Sequence, residues 1–128
     1  MKIEKIEKNN ILIVGIKGRL DGSHPAKIRN RLHGWLKLNH NMILDCGKLE
    51  YLDSSGLGAL LSCLRKAVAL GGDLKIVSLV PAAAMVFELT GTHNVFSIFK
   101  TIPQALASFH SSKNNDEDIS LKKLNPQE

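Results

Sequence analysis

At 128 residues the chain is long enough for one domain with a two-layer core, and its 44% hydrophobic and 23% charged residues are ordinary for a globular protein. The net charge is +5, with the positive residues spread along the chain, and one Trp and one Tyr offer little aromatic surface for stacking bases. We therefore expect no direct nucleic-acid partner. The two cysteines and five histidines show no metal-ligand spacing, so neither a metal nor another cofactor is expected.

The beginning of the chain carries no signal-peptide pattern, because charged residues interrupt positions 2–7. The longer apolar runs are broken at Arg65 and again at Pro81, so no segment is long enough for membrane insertion. These patterns predict a cytoplasmic location. Cys46 and Cys63 are predicted to be reduced thiols that serve as small apolar residues.

The first elements are two strands joined by a hairpin. Residues 3–8 alternate weakly and predict a partly exposed strand, and Asn9-Asn10 is a typical hairpin turn. Residues 11–16 are almost wholly apolar and rich in β-branched side chains, which predicts a covered strand. Gly18 is expected to end this strand, and a loop over residues 20–23 would lead to a helix with Pro25 at its first position.

That helix is predicted to run to about residue 38, where polar residues interrupt it. Its apolar stripe comprises Ile28, Leu32, Trp35 and Leu36. Residues 42–46 form a short apolar run of the kind found in the middle of a sheet. Residues 47–52 are expected to be a loop, anchored to the core by three apolar side chains, Leu49, Tyr51 and Leu52.

The clearest helical periodicity in the chain follows this loop. Apolar residues recur at i, i+3, i+4, i+7 and i+11, namely Leu57, Leu60, Leu61, Leu64 and Val68. Gly71 suits the left-handed position just after a helix. A strand is predicted next, at residues 74–77.

The last elements are shorter. Pro81 is expected to open a helix that stops near Gly91, and residues 95–99 predict an edge strand. A final helix would begin after Thr101, a plausible cap.

The predicted order ββαβαβαβα indicates an α/β fold with a mixed, mostly parallel sheet and helices packed on it. Helix-linked strands favour parallel pairing, while the opening hairpin adds one antiparallel strand. We expect a single domain over residues 1–110 and a disordered, polar C-terminal tail over residues 111–128. The loops at residues 20–22 and 53–56 both follow strands and are expected to share one end of the molecule.

Residues 43–58 resemble the central signature of the STAS family: an apolar strand, a loop, and then Asp53-Ser54-Ser55-Gly56-Leu57-Gly58 at the start of a helix. Gly18-Arg19-Leu20-Asp21 matches a second landmark of that family. Over residues 1–110 the chain is similar to bacterial anti-sigma-factor antagonists.

The resemblance implies regulated binding rather than catalysis. Family antagonists bind an anti-sigma factor that is also a serine kinase, and so release a sigma factor. The kinase phosphorylates the hydroxyl that maps to Ser54, and a serine phosphatase restores the binding form. By the same mapping the partner-binding surface comprises Asp21, Asp53, Ser54, Ser55, Gly56 and Leu57.

Other interpretations of the same residues stay open. Without the resemblance, Asp53, Ser54 and Ser55 would indicate a helix cap. A STAS module can also serve in a membrane transport or lipid-trafficking complex without phosphorylation. A hydrolase with Ser54 as nucleophile would lack both the Gly-x-Ser-x-Gly elbow and an assigned base, so no enzyme is expected.

Overall fold

The computed structural model describes residues 1–23 and 25–113 of the chain. The strands and helices in chain order are β1 (Lys2–Lys8), β2 (Ile11–Leu20), α1 (Pro25–Leu38), β3 (Asn41–Leu52), α2 (Ser54–Ala69), β4 (Asp73–Val77), α3 (Pro81–Thr90), β5 (Ser97–Phe99) and α4 (Ile102–Lys113). A 3-10 turn at Thr92–Asn94 precedes β5. This is the predicted element order, and it confirms the α/β class.

The five strands form one sheet in the sequential order β1-β2-β3-β4-β5. β1 pairs with β2 in antiparallel fashion through the predicted hairpin, whose turn residues Asn9 and Asn10 have φ of 55° and 63°. Asparagine tolerates this left-handed backbone better than most residues, which explains why two of them form the turn. All later strand pairs are parallel, as predicted.

Three helices cover one face of the sheet and the fourth covers the other. Apolar side chains of α1, α2 and α3 pack with Val14, Leu44 and Ile76 into the main core. Residues of α4 pack against Ile13 and Ile43 on the opposite face. The strands follow one another across the sheet in a single direction, and right-handed connections then place α1, α2 and α3 on the same face. The final helix, α4, connects no strands in the described part of the chain and can therefore pack on the opposite face.

Strands β2 and β3 are both longer than predicted. β2 continues through Gly18 to Leu20, with Gly18 at φ +100°, so the prediction that this glycine ends the strand is wrong. Residues 47–52 are not a loop, because β3 extends to Leu52. Register shifts after Gly15 and after Gly18 give β3 one extra residue at each point, and these bulges keep the two strands paired.

Glycines end α2 and α3 where the sequence placed them. Gly71 and Gly91 have φ of 88° and 77°, the left-handed region in which a residue without Cβ is favoured. The final helix, α4, reaches Lys113, three residues into the segment predicted to be a disordered tail. Residues 114–128 lie outside the described residues, so the tail stays a prediction.

Candidate functional site

The two loops singled out in the sequence meet at the carboxyl end of β2 and β3. Leu20 and Leu52 are partners in the parallel register, and both are buried. Asp21 and Asp53 are the next residues on each strand. The backbone N–H of Asp53 donates to the carbonyl of Leu20 at 3.4 Å, which continues the pairing by one more residue. The expectation that both loops share one end of the molecule is confirmed.

Asp53 joins the two loops through its carboxylate. One oxygen, Oδ1, accepts from the backbone N–H of Gly56 at 2.9 Å, which makes Asp53 the N-cap of α2. The other oxygen, Oδ2, accepts from the N–H of Gly22 at 3.1 Å. A single side chain therefore both starts the helix and fixes the loop that follows β2.

Ser54 and Ser55 are the first two residues of α2, and both are exposed. Neither hydroxyl caps the helix, since Asp53 fills that role, and neither bonds to another described residue. The Ser54 hydroxyl is therefore accessible at a helix N-terminus, where backbone N–H groups and the helix dipole favour an anion.

Gly56 and Leu57, also assigned to the partner surface by resemblance, lie beneath it. A Cβ on Gly56 would overlap the carbonyl oxygen of Leu20, so only glycine lets the helix approach β2 this closely. Leu57 is 4% exposed and belongs to the main core. Both residues therefore support the exposed serines from below, and their assignment to the partner surface stays a prediction.

Asp21 is held beside this surface by its own loop. Its Oδ1 accepts from the backbone N–H of Ser23 at 3.0 Å, and its Oδ2 accepts from Arg19 Nε at 3.3 Å. The Ser23 N–H, followed by the Ser23 hydroxyl and Arg19, holds the pKa of the Asp21 carboxyl below its usual value. Asp21 is therefore ionised at neutral pH, and it lies on the loop that Asp53 holds through the N–H of Gly22.

Arg19 and Tyr51 are two surface residues that the sequence did not identify. They are partners in the strand register, and the Arg19 guanidinium lies over the Tyr51 ring at 4.0 Å from its centre. Tyr51 is 40% exposed, so the prediction that it anchors a loop to the core is wrong. The ring of Tyr51 is exposed because β3 continues to Leu52 and contains a bulge. No local sequence pattern predicts that bulge.

Two kinds of reactive group, metal-ligand clusters and thiolates, would support other chemistry in the described part of the chain. No cluster of three or more His, Cys, Asp or Glu among residues 1–23 and 25–113 could hold a metal ion. Burial raises the pKa of both thiols, Cys46 and Cys63, to about 12, so neither is a thiolate nucleophile at neutral pH. In the described part of the chain, no helix combines the length and apolar character that crossing a bilayer requires.

A family model described as STAS domain matches residues 2–105. BtrV, a candidate anti-sigma factor antagonist of Bordetella bronchiseptica, is 25% identical over 113 residues, which are 88% of this chain and 97% of BtrV. The anti-sigma F factor antagonist of Paenibacillus polymyxa is 23% identical over 108 residues, covering 83% of this chain and 92% of that protein.

Solved structures give the same picture of the fold. The anti-sigma factor antagonist SpoIIAA in its unphosphorylated form has a TM-score of 0.72 at 19% identity, covering 86% of this chain and 97% of SpoIIAA. The phosphorylated form of Bacillus SpoIIAA has a TM-score of 0.64 at 20% identity, covering 84% of this chain and 99% of SpoIIAA. At these identities the likeness concerns the fold alone.

Proposed function

This chain belongs to the STAS domain family, and we propose that it is an anti-sigma-factor antagonist controlled by phosphorylation of Ser54. In this proposal it binds an anti-sigma factor with serine kinase activity in the cytoplasm and so releases a sigma factor. A serine phosphatase reverses the modification. The names of the relatives BtrV and the Paenibacillus polymyxa protein support the first step. The proposed control by phosphorylation is supported by the exposed hydroxyl of Ser54 at the first position of α2.

The domain itself can accept a phosphate at this position. Phosphorylation adds roughly −1.5 to −2 charges and three acceptor oxygens. The first turn of α2 contains no acidic residue, and the helix dipole stabilises an anion there. Because Asp53 supplies the cap, modification of Ser54 leaves the helix start and its link to Gly22 in place. We therefore expect phosphorylation to leave the fold unchanged.

A partner packed on this surface would not accept the same phosphate. Asp53 directly precedes Ser54, and Asp21 lies on the loop that Asp53 holds, so the phosphate would add negative charge beside two acidic residues. Bulk and unpaired charge in a dehydrated interface would cost about 3 kcal/mol, which lowers affinity more than a hundredfold. The binding surface is thus spoiled while the domain remains folded.

The test compares the two neighbouring hydroxyls. Incubation with ATP and the cognate anti-sigma kinase is expected to add one phosphate to the peptide that contains Ser54. Ser54→Ala should abolish this mass shift, whereas the matched control Ser55→Ala should keep it. For binding, Ser54→Asp should weaken the complex with the anti-sigma factor more than a hundredfold, by the energy estimated above, and Ser54→Ala should bind as tightly as the native chain.

Two results would contradict the proposal. Equal binding of the native chain and Ser54→Asp would remove the switch. Phosphate on Ser55 alone would place the modification on the wrong residue. If the chain instead co-purified with membrane transport or lipid-trafficking subunits and no kinase modified Ser54, the phosphorylation-independent STAS module would be the better description.

A further inference from the structure

Helices α1 and α2 pack side by side, and their seam carries two facing rows of polar residues. On α1, Arg29, His33 and Lys37 are spaced at i, i+4 and i+8, which places them along one flank. On α2, Ser62 and Lys66 form the matching row at i and i+4. The Ser62 Oγ and His33 Nε2 atoms lie 3.2 Å apart and join the rows. We call these five residues the basic seam.

The seam concentrates positive charge without any local compensation. Across α1 and α2 the sequence places four and two Lys or Arg residues, respectively, and no Asp or Glu. None of the seam cations Arg29, Lys37 and Lys66 has an ion-pair partner among the described residues. This is unusual for a surface that only needs to be soluble, where charges of both signs are interspersed.

His33 lies between these cations, and its pKa is lowered below the usual value for histidine. Burial is the largest cause of this lowered pKa, and the positive charges of Lys66, Arg29 and Lys37 lower it further, while an interaction with the Ser62 backbone opposes the shift. His33 is therefore neutral at pH 7, and three cations carry the charge of the seam.

Helix dipoles explain only part of this pattern. Lys37 and Lys66 lie in the last turns of their helices, where a cation is favoured. Arg29 lies in the first half of α1, where the dipole gives a cation no such benefit. A structural role therefore accounts for two cations and leaves the third, and the complete lack of acids, unexplained.

We propose that the basic seam binds an acidic patch on the same protein partner that docks at Ser54. This inference rests on the proposed function and adds a second, electropositive half to its interface. Ser54 and Ser62 are eight residues apart on α2, which is about 12 Å along the helix axis. An interface of about 800 Å² per partner spans that distance easily.

The charge of the neighbouring surface favours a protein over a nucleic acid or a membrane. Asp21 and Asp53 place two acidic side chains at the Ser54 end of the same helix, so the proposed interface combines acidic and basic residues, a pattern that a uniformly negative polymer or bilayer does not complement. A protein surface can instead place acids over the seam and neutral or basic groups over the two aspartates. The seam would then fix the orientation of the partner and steer its approach.

The test measures association kinetics with the anti-sigma factor at low and high salt. The double variant Arg29→Gln with Lys66→Gln should slow association roughly tenfold at low salt and flatten its salt dependence, with little change in dissociation. The matched control Lys8→Gln with Lys100→Gln removes the same charge from exposed positions outside the seam and should associate at the native rate. Circular dichroism and urea midpoints establish that both variants are folded.

Two outcomes of this measurement would overturn the inference. Equal slowing in both double variants would show that only net charge matters. Native-like association of the seam variant would show that the seam is not contacted. In either case, a large loss of affinity in Ser54→Asp would leave the proposed function standing, so the two ideas fail separately.

A second measurement does not need the anti-sigma factor. Titration of the isotopically labelled full chain with an octaglutamate peptide at low salt should shift the amide signals of the α1–α2 seam, and the Arg29→Gln, Lys66→Gln variant should lose these shifts. Amide shifts near surface lysines throughout the protein would contradict specific binding at the basic seam. Tighter, seam-dependent binding of duplex DNA or of phosphatidylglycerol vesicles than of octaglutamate would overturn the choice of a protein partner.

Discussion

Ser54 and Ser55 precede Gly56 and Leu57 directly in the chain, yet the two pairs face opposite directions. The serines are exposed at the start of α2, whereas the glycine touches the backbone of β2 and the leucine lies in the core. One helical turn is enough to separate them, because successive residues in a helix point about a quarter-turn apart. The two serines are therefore surface residues, whereas the glycine and the leucine anchor the helix to the sheet and the core.

This difference shows that a signature can join two kinds of constraint. The buried pair determines the position of α2 on the sheet, and the exposed pair is accessible to another protein. Asp53 connects them, since it caps the helix and holds the loop after β2. Substitutions of Gly56 or Leu57 should therefore lower the stability of the fold, whereas substitution of Ser54 should affect partner binding.

Leu57→Ala should have the largest effect on stability. Truncation of a 4% exposed leucine in the main core leaves a cavity and is expected to lower the free energy of unfolding by about 3 kcal/mol. Urea denaturation followed by circular dichroism measures it. A loss below about 0.5 kcal/mol, as for an ordinary surface residue, would mean that Leu57 does not stabilise the core.

Gly56→Ala should cost about 2 kcal/mol, because its Cβ would overlap the Leu20 carbonyl and push α2 away from β2. Gly58→Ala is the matched control on the same helix. A Cβ at Gly58 meets nothing within 4 Å, so alanine there should raise stability by up to about 1 kcal/mol through helix propensity. Thermal midpoints of the pair should move in opposite directions, and a shift of the same sign would contradict the close approach.

Asp53→Ala should cost about 1 to 2 kcal/mol, since it removes the cap on Gly56 and the bond to Gly22 together. Ser55→Ala should change stability by less than about 0.5 kcal/mol. Chemical denaturation of the two variants distinguishes them. If the serine variant lost as much as the aspartate variant, Ser55 and not Asp53 would be the effective cap.

The smallest effect is a pH dependence at Asp21. Because its pKa is lowered in the folded state, mainly by the Ser23 N–H, ionised Asp21 stabilises the fold above its unfolded value of 3.8. That contribution is lost as the pH falls below 3.8. Native and Asp21→Asn chains should therefore differ slightly in thermal midpoint at about pH 6, and this difference should shrink as the pH falls below 3.8. A difference that grew on acidification would mean that the pKa is raised.

Several features of this protein follow from the sequence alone. The order of strands and helices was predictable, because apolar periodicity, the Asn9-Asn10 turn and the glycines that end α2 and α3 act within a few residues. The mostly parallel sheet followed from that order. The position of Ser54 at a strand-to-helix turn was visible in the same way.

The tertiary structure decided what depends on distant partners. β2 passes through Gly18 and β3 through Gly47 because hydrogen bonds between the strands outweigh the local preference of glycine for a turn. Asp53 caps α2 and also accepts from the N–H of Gly22, 31 residues away in the chain, a contact that needs the ends of β2 and β3 to lie side by side. The stacking of Arg19 on Tyr51 and the joining of His33 to Ser62 likewise need register and helix packing, which no local pattern encodes.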